Sequence, residues 1–86
     1  MHVSQASLWK LSHSDLAALC QEMAHNTAKN IDPTLIEEAR RLSAGWTDVM
    51  AMNLHEDGVA ERQAGMAAAL RKRTIELALR SGTAEE

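Results

Sequence analysis

His13, Cys20 and His55 are the side chains best suited to holding a metal ion, and their spacing argues against it. His13 and Cys20 are seven residues apart and can share a helical face, whereas His25, five residues further on, points elsewhere. No HxxxH or CxxC pair occurs, and structural zinc sites are built from four ligands at tight spacing. Cys20 therefore reads as a small core residue and the histidines as surface groups. His55-Glu56-Asp57 puts titratable groups into one turn. That suits a solvated link between helices, with a pH-sensitive contact as the alternative.

The carboxylates give no better catalyst. Helical nucleotide pyrophosphohydrolases hold magnesium on acids spaced i and i+3, so that both reach one ion. Here Glu37 and Glu38 are adjacent, about 100° apart on a helix, and no ExxE or ExxD includes them or Asp48. No Ser-His-Asp set, glycine-rich phosphate loop or nucleotide fingerprint is present. The expectation is a protein that is not an enzyme, with no catalytic residues, no cofactor and no metal.

Arg71-Lys72-Arg73, with Arg62 and Arg80, is the one grouping that suits phosphate. Glu61 and Glu76 interrupt it, no stacking aromatic lies near, and the net charge is −3. SDLAALCQEM resembles the first helix of a helix-turn-helix, but residues 24–31 intervene where a short glycine-containing turn belongs. The helix that would read DNA also begins with acids. Nucleic-acid binding through these five cations is thus the alternative reading.

All these residues fall on helical patterns. Leu35, Ala39, Leu42, Trp46 and Val49 recur at steps of four and three, a stripe that Ile36, Met50 and Leu54 broaden. Asp32-Pro33 supplies an N-cap and a proline at the first helical position, which predicts a helix over 33–54. A shorter helix over 14–29 begins at a Ser12 or Ser14 cap, with Leu16, Leu19, Cys20, Met23 and Thr27 on one face. A third helix over 59–80 stops at Ser81-Gly82, with 81–86 as a frayed tail. Its apolar arc is wide: Met66, Ala67, Leu70, Thr74 and Leu77 on one side, Ala64, Ala68, Ile75 and Leu79 well round from them. Residues 1–13 read as an arm or short helix, with Trp9 docked on the core or on a second subunit. Gly45 and Gly65 lie inside helices at some cost, so both are expected to mark close helix approach.

Residues 32–57 carry six acids and two basic residues, and residues 58–86 carry four acids and five basic residues. Folding the two back on each other around His55–Gly58 brings Glu37 and Glu38 towards Lys72, Arg73 and Arg80, which favours an antiparallel hairpin. A break there, with Asp57 as cap, keeps Asp57 and Glu61 off the apolar stripe.

The fold class expected is all-α: one domain of three helices, the last two forming a long antiparallel hairpin, assembled as a dimeric helix bundle. The 86 residues are 45% apolar, mostly Ala, Leu and Met, with no Phe or Tyr. So short a chain buries a modest core, and a partner surface makes up the difference. One cysteine, no signal-like start and no long apolar run point to the cytoplasm. The function expected is a non-enzymatic protein–protein interaction module: a regulatory, adaptor or inhibitor-type homodimer that also binds a protein partner. Its interface residues are Trp9, Trp46, Met50, Met52, Met66, Leu70, Ile75 and Leu79. Of these, Met50 and Met66 also read as core residues, whereas Met52 points away from the main stripe.

Overall fold

A computed structural model describes residues 3–25, 32–82, 84 and 85. Among the described residues the fold is all-α apart from a two-residue parallel ladder, with four helices rather than three. In order these are β1 (Val3–Ser4), α1 (Gln5–Leu8), α2 (His13–His25), α3 (Pro33–Met50), α4 (Val59–Arg80) and β2 (Ala84–Glu85). The extra helix is the single turn α1, started by Ser4, whose side chain accepts the Ser7 amide N–H. β1 pairs with β2, so Ala84 and Glu85 are held by backbone contacts where a frayed tail was expected.

Caps set the helix ends. Ser12, rather than Ser14, accepts the Asp15 N–H at 3.2 Å and opens α2. Its expected end, including Thr27, lies outside the described residues. Asp32 accepts the Thr34 N–H at 2.9 Å, with Pro33 in the first position of α3. α3 stops at Met50, four residues short of the Leu54 expected from its stripe. The reason is local: the Asn53 side chain accepts the His55 N–H at 3.1 Å, an Asx turn that competes with helical continuation. The link to α4 is accordingly 51–58, and Gly58 rather than Asp57 occupies the N-cap, with φ +79°. α4 occupies the interval over which the sequence places its third helix.

Contacts orient the layers. Arg80, ending α4, pairs with Glu38 near the start of α3, while Gln63 near the start of α4 donates to the Val49 carbonyl at 3.0 Å. The two helices therefore run in opposite directions. α2 lies across both. His13, its first residue, stacks on Trp46, and Met23, near its end, meets Ser81 beyond α4. Leu16, Cys20, Ala39, Leu42, Trp46, Val49, Ile75, Leu77 and Ala78 fill the interior between the three helices, with Leu8 of α1 added from the side.

Lengths decide where that core ends. α4, with 22 residues, is about 33 Å long, while α2, with 13, is about 20 Å. α2 covers the half of the pair from Trp46 back to Pro33. The other half, the end of α3, the 51–58 link and the start of α4, is two helices thick.

Candidate functional site

The expected interface residues divide into two groups. Trp46 and Ile75 lie inside the single chain, 0% and 2% exposed, and line no outer surface. This corrects their assignment, because α2 and α4 close over Trp46, and Ile75 turns from α4 into the same interior. Leu70 is half-buried, its side chain filling the space beside Gly45, where an added Cβ would meet Leu70 Cδ2 at 2.9 Å. Leu79 is likewise half-buried against the core. Gly45 thus marks a close approach, whereas Gly65 faces open space. At the N-terminal arm the roles of neighbours are exchanged: Leu8 is buried and Trp9 stands 49% exposed.

Met50 and Met66 correct their reading as core, at 44% and 46% exposed. Met50 sits one turn beyond Trp46, and α2 begins at Trp46, so no helix reaches over it. Leu54 is 49% exposed for the same reason, and Met52 is half-buried. Among the described residues the large exposed apolar side chains are therefore Trp9 together with Met50, Leu54 and Met66 at the two-helix end.

The five cations do not make one free basic face. Arg71 Nη1 donates to the Trp9 carbonyl at 3.0 Å and the Leu11 carbonyl at 2.8 Å, tying down the arm before α2. Arg80 is engaged by Glu38. Arg62, Lys72 and Arg73 are exposed. Arg73 borders an open groove whose other walls include Glu37, Glu38, Arg41 and Glu76, a mixed-charge surface. Glu37 itself lies 3.9 Å from Arg40 and 4.0 Å from Arg41.

The metal candidates are not brought together. His13 lies on Trp46, with ring centroids 5.4 Å apart. Cys20 is in the core, and His55 is in the exposed link. Among the described residues no group of three or more His, Cys, Asp or Glu can hold a metal ion. Burial pushes the Cys20 thiol above its ordinary pKa, outweighing hydrogen bonds from Thr74 and Trp46 that pull it down. A protonated, enclosed thiol is a poor nucleophile.

Two features had no clear signal in the sequence. One is the buried set Trp46–Thr74–Cys20, in which Trp46 Nε1 donates to Thr74 Oγ1 at 3.0 Å and Cys20 Sγ lies 3.4 Å from the same oxygen. The other is Arg71, whose position in a basic run hides its role as an anchor. No described helix is long and apolar enough to cross a membrane. Compared with protein-family models, curated proteins and solved structures, the chain matches none of them.

Proposed function

We propose that this chain is a small non-enzymatic protein–protein interaction module of regulatory, adaptor or inhibitor type. It works in the cytoplasm as a homodimer built on the antiparallel α3–α4 hairpin. One observation carries the reading: Met50, Leu54 and Met66 are 44–49% exposed at the end of the hairpin that α2 does not reach. Large apolar side chains left exposed at one end of a hairpin suit association surfaces, and methionine adapts to varied partners. Met66 and Met52 serve self-association, while Met50 and Leu54 are left for a protein partner. The nucleic-acid alternative is not carried forward, because Arg71 and Arg80 are engaged within the chain.

Light scattering coupled to size-exclusion chromatography, at two concentrations and at low and high salt, tests the assembly. The expected result is a mass about twice that of the 9.4 kDa chain, insensitive to salt. Met66→Asp is expected to give the monomer with helicity unchanged. A wild-type monomer at micromolar concentration removes the homodimer.

A further inference from the structure

On the reading that this chain is an interaction module, we propose that the uncovered track over Met50, Leu54, Ala60 and Ala64 receives a basic amphipathic helix of a protein partner, laid end to end with α2. The track follows from the packing. Met50 continues the stripe of Ala39, Leu42 and Trp46, and the start of α2 against Trp46 leaves that continuation bare. On α4, Ala60, Ala64, Ala67 and Arg71 recur at steps of four, three and four along one flank. Arg71 ties that flank to the arm leading into α2. Ala60 and Ala64 thus share the side that α2 covers elsewhere, and both are exposed.

Charge selects the occupant. From Leu42 through Glu61 there is no Lys or Arg, whereas Glu56, Asp57 and Glu61 are present and exposed, and the exposed Arg62 falls about 160° round α4 from both Ala60 and Ala64. Arg71, the cation on the same flank, faces the Trp9 and Leu11 carbonyls. An apolar floor with an acidic surround fits a helix with a Leu- or Met-rich face flanked by Lys and Arg. Charges of that kind orient the encounter and exclude acidic competitors.

The probe is a labelled amphipathic Leu/Lys peptide of about five helical turns, with a counterpart in which every Lys is Glu. Fluorescence anisotropy with the full chain is expected to show binding of the Lys peptide, several-fold weaker when salt rises from about 0.05 to about 0.3 M. The Glu peptide is expected not to bind. Met50→Ser combined with Leu54→Ser changes exposed positions and should weaken binding about tenfold, with the thermal melt unchanged. Amide shift changes on binding should fall within residues 48–66. Equal binding of both peptides, shifts centred elsewhere or an unaffected Met50/Leu54 variant overturns the proposal. So do concentration-dependent shifts, without peptide, at the amides of Met50, Leu54, Ala60 and Ala64 rather than at Met52 and Met66, which would place a second copy on the track. A dimer that ignores the peptide removes this surface and leaves the homodimer standing. A monomer that binds it at residues 48–66 does the reverse.

Discussion

Thr74 is the buried polar residue of the described core, and its hydroxyl serves Trp46. An indole N–H can only donate, so a Trp wholly enclosed at this position needs an acceptor. Thr74 Oγ1 at 3.0 Å supplies it. Thr74→Val keeps the shape and removes the acceptor, leaving the indole unsatisfied at a cost of about 1–3 kcal/mol. Urea unfolding followed by fluorescence should show the midpoint falling, with Thr74→Ser falling less because it keeps the oxygen. A Val variant as stable as wild type would mean that the indole finds another partner. Thr74 sits among the apolar positions read for its helix, so its burial was legible in the sequence. Its bond to Trp46, 28 residues away, was not, because that depends on the rotation of α3 against α4.

At the scale of the elements, local chemistry predicts starts better than stops. Asp32-Pro33 and Ser12 open their helices by bonds to amides two or three residues ahead, which sequence alone reveals. The end of α3 turns on Asn53, which overrides an apolar stripe that continues to Leu54. The glycines of the α3–α4 region separate the same way. Gly58 holds φ +79° and permits the turn into α4, so Gly58→Ala should cost about 1 kcal/mol. A Cβ added at Gly65 would meet nothing within 4 Å, so Gly65→Ala should stabilise α4 by about 1 kcal/mol. Thermal melts of the two variants are expected to move in opposite directions. A loss at Gly65 would show that its bare backbone faces a neighbour in solution.

Over the whole molecule, extents of 44 × 24 × 15 Å describe an elongated body with a core towards one end. Trp46, Thr74, Leu77 and Ala78 lie under α2 with essentially no exposure. Beyond them Val59 and Ala67 are the buried residues of the first half of α4. Local opening should follow that gradient, because few buried apolar contacts oppose it at the two-helix end. Native-state hydrogen exchange is expected to be faster for amides of residues 59–66 than for those of residues 74–80 in the same helix. The gradient belongs to the monomer: a second copy seated on Met52 and Met66 should flatten it in the dimer, and uniform protection along α4 after dilution to monomer would contradict it.

Periodicity and caps by themselves determined that the chain is helical, that α3 begins at Asp32-Pro33, and which faces of α3 are apolar. Those features are set by residues within a few positions of one another, so the sequence carries them directly. Only the tertiary structure decided which apolar residues are covered. Trp46 and Met50 stand one turn apart on one stripe, yet α2 starts over the first and leaves the second exposed. Arg71 and Lys72 are neighbours in a basic run, yet the arm's carbonyls engage one and leave the other exposed. Such distinctions arise from helix lengths and from contacts across tens of residues, which hydrophobic pattern alone does not encode.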